Sequence, residues 1–376
     1  MIPVRIGALL PLLAVVTCQP EGVSRASYAA AKPGSVWGIP SAATAEQPGA
    51  RPDSLQERLG RAREQVRNGQ FQEAIPLLKQ LLAEDSDCAE AHMLLGMAFR
   101  SLASPEFIGE AQAELRQALM LDPRLHWARF ALGRIYLDLG RHDRAREELE
   151  RGLQGLPDQP LFLSFLAEAH RLLGEPQRSV ELSAKALKRS PNLAVARYHQ
   201  ALAWRDLDQP EKAVRELEAG LLGEPVLPEM LRTLGELYLR TGKRGQAVRM
   251  LEKAVALDPS NAEGHLELAR AHLQGHEPDQ ALRQLEHAFP EGTPMLSSAY
   301  FQNLEADVYF VLGEANAAKG LEEAALQAYL RVVEIRPDHR EAHRRLARLY
   351  GSRGDTGRSS EHARRAAELK RTSMRN

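Results

Sequence analysis

Residues 126–157 read HWARFALGRIYLDLGRHDRAREELERGLQGLP, and this stretch decides the fold. Trp127, Phe130, Ala131, Ile135 and Leu139 fall at spacings of three and four, the signature of an amphipathic helix. Turn-forming residues follow from Gly140 to Asp143, after which Ala145, Leu149 and Leu153 restore the helical spacing. Pro157 then ends the second helix, because it has no amide hydrogen to donate and its ring crowds the preceding turn. The stretch is therefore a helical hairpin. Gly133, just after Leu132, is a small residue where the two helices must come close.

The same pattern returns at a spacing of about 34 residues, about nine times to the C-terminus. In the sixth copy it is carried by Leu234, Gly235, Tyr238, Gly242, Ala247, Leu251, Ala254 and Pro259. The small position is held in turn by Gly133, Ala167, Ala201, Gly235, Ala269, Gly313 and Ala347. The pattern resembles the tetratricopeptide repeat (TPR) family. That resemblance implies an all-α fold, a right-handed α-solenoid of about nine helical hairpins over residues 53–376, built to bind other proteins or peptides.

Three irregularities interrupt the period. The second repeat has extra residues between its helices, from Leu102 to Gly109, with Phe107 and Ile108 either exposed to a partner or folded back onto the solenoid. A second break lies between Phe289 and Glu305, with Pro290, Gly292 and Pro294 before a run, Ser297 to Leu304, that can lengthen a helix. The last helix, from Arg358 to Arg371, is unusually polar, as an end cap must be.

The chain has 376 residues, a formal net charge of −1 and two cysteines, which excludes a disulfide framework and a general affinity for nucleic acid. Residues 1–17 read as a secretory signal, with the apolar run from Ile6 to Val16 too short to span a bilayer as a helix. Val15, Val16, Thr17 and Cys18 resemble the lipobox of bacterial lipoproteins, although Thr17 departs from its usual small residues. The expectation is lipidation at Cys18 and export to the bacterial envelope, in the outer membrane or periplasm, with a soluble periplasmic chain and a cut after Ala31 as alternatives. Residues 18–52, rich in Ala, Ser, Gly and Pro, have the composition of a flexible tether.

The family resemblance assigns five positions of each first helix to the concave groove. Here they collect Trp127, Phe130 and Arg134; Tyr198, Leu202 and Arg205; Arg232 and Glu236; Arg270; and Phe310 and Glu314. Aromatic and Arg side chains carry much of the energy of protein interfaces, so these are the candidate partner-binding residues. For Phe130 and Phe310 the alternative is packing between adjacent first helices. The Lys, Asn and Arg set with which some relatives hold a terminal carboxylate is missing, and Arg344 with Arg348 is the nearest approach.

No metalloprotease, phosphate-loop, nucleophile-elbow or paired-cysteine motif is present. His339 with His343, and His272 with His276, have metal-compatible spacing without a third ligand. The expectation is a non-catalytic scaffold or assembly factor with no cofactor, no metal, no small-molecule substrate and no specific nucleic acid. Two rivals remain. Residues 340–375 carry eleven basic against four acidic side chains, which fits a tether docking on anionic polymer or lipid. The chain also fits an accessory subunit of an envelope secretion, pilus or polysaccharide-export complex.

Overall fold

The computed structural model describes residues 54–102, 105–223, 226–288 and 299–373. Cys18, the signal and tether segments, and the break at 289–298 lie outside the described residues. Among the described residues nine helical hairpins follow one another. They are α1 (Leu55–Arg67) with α2 (Phe71–Glu84), α3 (Ala89–Ser101) with α4 (Ile108–Leu121), and α5 (His126–Asp138) with α6 (His142–Gly155). Next come α7 (Pro160–Leu172) with α8 (Pro176–Arg189), α9 (Ala194–Asp206) with α10 (Pro210–Gly220), and α11 (Pro228–Arg240) with α12 (Arg244–Leu257). The chain ends with α13 (Ala262–Gln274) and α14 (Pro278–Ala288), α15 (Ala299–Ala318) and α16 (Glu322–Ile335), and α17 (Arg340–Ser352) and α18 (Thr356–Ser373). The arrangement is an α-solenoid. Among the described residues no helix is long and apolar enough to cross a membrane.

Local chemistry explains the regularity. Ser54 caps α1 by accepting from the Glu57 amide while the Glu57 carboxylate accepts from the Ser54 amide. α7, α8, α10 and α11 begin at Pro, whose fixed φ suits a first helical turn. Eight of the nine hairpin turns pass through a residue with positive φ, Gly at six of them, Asp208 and His276 at the others. The second hairpin instead turns through a short 3-10 segment, Pro105–Phe107. There Phe107 stacks on Phe99 with centroids 5.5 Å apart, so the apolar tip folds back onto the solenoid. α15 has 20 residues against 13 in most first helices, matching the lengthening read in the sequence.

The small residues sit where the two helices of a hairpin touch. A Cβ placed on Gly133 would lie 2.7 Å from Leu149 Cγ, and on Gly235 2.5 Å from Leu251 Cγ. Ala167, Ala201 and Ala269 occupy the same place with no exposed surface.

A second device was not legible in the sequence. Four residues before the small Gly or Ala of the first helix, where the family pattern carries an apolar Trp, several repeats carry Arg or His. His92, Arg129, Arg197, His265 and His343 each reach back to the carbonyl six residues earlier, at 3.0, 3.4, 3.2, 3.2 and 3.1 Å. Each also reaches the second helix of its own repeat, at Glu114, Glu148, Glu216, Gln284 and His362. The side chain thus brackets the entering turn to the second helix. These histidines are structural, and His343 is taken up by this bracket, while the His339 ring accepts from the Ala342 amide at 3.1 Å.

Gly235→Leu should destabilise the chain by about 1–3 kcal/mol, the usual cost of overpacking a filled core. Because each repeat contacts only its neighbours, hydrogen exchange should rise in the fifth to seventh repeats and stay unchanged in the first two.

Candidate functional site

Successive first helices touch one another: α1 with α3, α3 with α5, α5 with α7, α7 with α9, α11 with α13 and α13 with α15. No two successive second helices come into comparable contact. The first helices therefore line the inside of the curve. α9 with α11 and α15 with α17 pack less closely than these pairs, yet Arg205 of α9 reaches Glu236 of α11 and Arg345 of α17 reaches Glu314 of α15.

The aromatic candidates divide at this point. Phe130 is only 1% exposed, enclosed by Phe162 at 4.8 Å, Phe165 at 5.3 Å and Trp127 at 5.4 Å. It fills space between first helices, which is the packing alternative. Trp127 is half-buried at the edge of that cluster, and Phe310 is half-buried against Tyr329 and the His339 ring. Arg134 is buried with its guanidinium 4.6 Å from the Phe165 ring centre. Tyr198 is also buried, and burial pushes its hydroxyl up.

The arginine candidates form ion pairs that step from one repeat to the next. Arg205 lies 3.8 Å from Glu236, Arg232 3.1 Å from Glu263, and Arg270 3.6 Å from Asp307. Arg63 to Glu90 (2.7 Å), Arg100 to Asp138 (2.8 Å) and Arg171 to Asp206 (2.7 Å) repeat the scheme, in each case a cation in one repeat and an acid in the next. Arg171 also holds Glu168 on its own helix at 2.8 Å. Burial pushes the Glu168 carboxyl up, but the Arg171 hydrogen bonds and nearby cations outweigh it and leave the group below its ordinary range. The candidates Arg205, Arg232, Glu236 and Arg270 are thus joined into one partly exposed ladder. Phe130, Leu202 and Arg134 belong to the interior.

α11 holds a residue that sequence reasoning missed. Glu229, in the first turn of α11, is 6% exposed, and neither carboxylate oxygen has a hydrogen-bond partner. Burial raises its carboxyl above the ordinary range, and the nearby acids Asp258 and Glu263 add to this against Arg232. Its signal in the sequence was weak, since it follows Pro228 at a helix start where an acid is commonplace. Among the described residues no three His, Cys, Asp or Glu side chains are grouped to hold a metal ion.

Tetratricopeptide repeat models match residues 59–119, 108–169, 238–308 and 306–339, together more than half of the chain. The chain belongs to the tetratricopeptide repeat family. Within this TPR family it is 24% identical to lipopolysaccharide assembly protein B of Escherichia coli K12 over 196 residues, 48% of this chain and 48% of that protein. The same holds for the O6:H1 and O157:H7 proteins, so the chain spans about half the length of the curated relatives it matches. The Cut9–Hcn1 hetero-tetramer of the APC/C superposes with a TM-score of 0.58 at 12% identity, over 84% of this chain and 73% of that one, a likeness of fold. PilF of Pseudomonas aeruginosa gives a TM-score of 0.48 at 20% identity, over 57% of this chain and 93% of that one.

Glu229→Gln should raise the melting temperature at pH 7. An acid whose folded pKa is raised contributes stability that is complete below its unfolded value and lost as pH rises through the folded value. The gap between variant and wild type should therefore close near pH 4, about the ordinary carboxylate value, in thermal melts across pH 4 to 8.

Proposed function

We propose that this chain is a non-catalytic scaffold that holds segments of other proteins in the concave groove during assembly of the bacterial envelope. The observation that carries this reading is the inner layer of first helices with its partly exposed ladder of Arg205, Arg232, Glu236 and Arg270. Trp127 and Phe310 add half-buried aromatic edges to the same face. Stacked helices hold these groups before a partner arrives, so binding orders the partner segment and not the scaffold.

The envelope setting is supported by the lipobox-like residues ending at Cys18 and by the partial similarity to a protein named for lipopolysaccharide assembly. In this reading the chain is exported and anchored through lipid on Cys18, with the tether of residues 18–52 holding the groove off the membrane. A soluble periplasmic chain would use the groove in the same way. The complex served is of the secretion, pilus or polysaccharide-export kind, in which the chain positions catalytic partners and performs no chemistry itself.

Crosslinking and affinity capture from the native host would test the groove, comparing wild type with Arg205→Ala, Arg232→Ala, Arg270→Ala. Loss of a defined partner in the triple variant, with an unchanged circular dichroism spectrum, is the expected result. Full retention of every captured protein would move binding off the groove.

A further inference from the structure

The bracket that ties an entering turn to its second helix takes three forms where histidine carries it, and one of them does not tolerate acid. In the second repeat His92 Nδ1 faces the Glu114 carboxylate at 2.5 Å, so a proton gained by the ring meets an opposite charge. In the seventh, His265 Nδ1 faces the Gln284 side-chain amide at 2.8 Å, and an amide can meet the ring in either protonation state. In the ninth, His343 Nδ1 faces a second imidazole, His362 Nδ1 of α18, at 2.9 Å. His343 Nε2 lies 3.1 Å from the Pro337 carbonyl, which can only accept, so that nitrogen carries the proton and Nδ1 accepts from His362. The pair can take one further proton, on His362 Nε2, with this bond kept. A second would set two N–H groups and two positive charges against each other.

Apolar contact does little to hold α18 in place. Ala363 stands one repeat after Tyr329, at the place from which Leu115, Leu149, Leu251 and Tyr329 fill the contact with the Gly of their first helices. Ala366 is the one buried apolar side chain of α18 among the described residues, whereas α16 buries Ala325, Leu326, Ala328, Tyr329 and Val332. The histidine pair and a Ser359 bond to the Ala347 carbonyl, at 2.8 Å, are the side-chain hydrogen bonds that join α17 to α18 among the described residues.

We propose that the hairpin of α17 and α18 is a pH-sensitive latch, closed near neutrality by the His343–His362 bond and opening in mild acid, when the separated rings together bind one proton more than the joined pair can hold. The neighbouring groups do not cancel this. On α18, Glu361 and Glu368 border the cavity of about 390 Å³ beside the pair, with Arg364 and Arg365. Glu368 is taken by Arg365 at 3.4 Å, and neither acid bonds a ring. The acid of α17, Glu341, is held by Arg344 at 2.7 Å, and α16 adds only the apolar Val333 to the cavity. Tyr350 of α17 stacks on His362 at 5.7 Å, with the Arg358 guanidinium 5.4 Å from its own ring centre. In the entering turn Arg336 lies 3.5 Å from Asp307, Asp338 is exposed, and His339 is turned to the Ala342 amide. Burial holds His362 below the ordinary imidazole range, and charge on His343 adds to this against Glu361. The open state therefore takes up the extra proton once pH falls below about 6.5, the ordinary imidazole value. Closure is complete above that value and weakens below it, by up to about tenfold per pH unit.

The test is hydrogen exchange of the full-length chain at pH 7.5 and pH 5, read by mass spectrometry and corrected for the intrinsic effect of pH on exchange. The opening constant of α18 should rise about tenfold between the two, while α4, joined to α3 through His92 and Glu114, keeps its protection. His362→Glu restores the partnership seen in the second repeat and should keep α18 closed at pH 5. His362→Gln restores that of the seventh repeat and should also remove the pH response, so the test survives if either variant fails to fold. Equal exchange of α18 at both pH values in the wild type overturns the proposal. A rise that persists in a folded His362 variant does the same. So does loss of protection throughout the solenoid at pH 5, which would mark general acid unfolding and not a latch.

Discussion

The close approach of two helices at one small residue per hairpin sets the rest of the structure. Gly133 against Leu149, Gly235 against Leu251 and Gly313 against Tyr329 leave no room for a further carbon. This contact fixes how far the helices of a hairpin stand apart, and so the surface each hairpin offers to the next. A solenoid has no central core to correct an error at this point, because stability is a sum of hairpins and nearest-neighbour interfaces. The bracketing side chains, His92 to His343, act on the same interface from the turn side, tying the entering loop to the second helix.

The inner layer has a conflict to resolve. Its residues must be polar enough to meet a partner in water, yet first helices packed together bury part of every side chain. Charges in such a place are tolerated when paired, and the stepwise Arg and acid ladder is the form that pairing takes. Glu229 departs from it. Its carboxyl lies in the first turn of α11, buried without a hydrogen-bond partner.

Much of the fold was legible because the pattern is local and repeated. The spacing in residues 126–157 identifies both helices, the turn at Gly140 and the contact at Gly133, and the copies repeat the same message. The loop at Phe107 was left open between two readings, and the stacking on Phe99 chose the packed one. The site was less legible. Whether Phe130 faces a partner or the interior depends on Phe162 and Phe165, which belong to the next repeat and come close only after stacking. Likewise Arg205, Arg232 and Arg270 were readable as groove residues, but their partners lie about one repeat away, and charge sign alone does not reveal distance. Glu229 was invisible for the same reason, since burial is a property of the neighbours that cover it.

The most direct measurement is hydrogen exchange on the chain in complex with the partner captured from its host, compared with the chain alone. The account predicts added protection in α9, α11 and α13, the first helices that carry the ladder. Protection confined to the second helices on the outer face, with the inner layer unchanged, would contradict it.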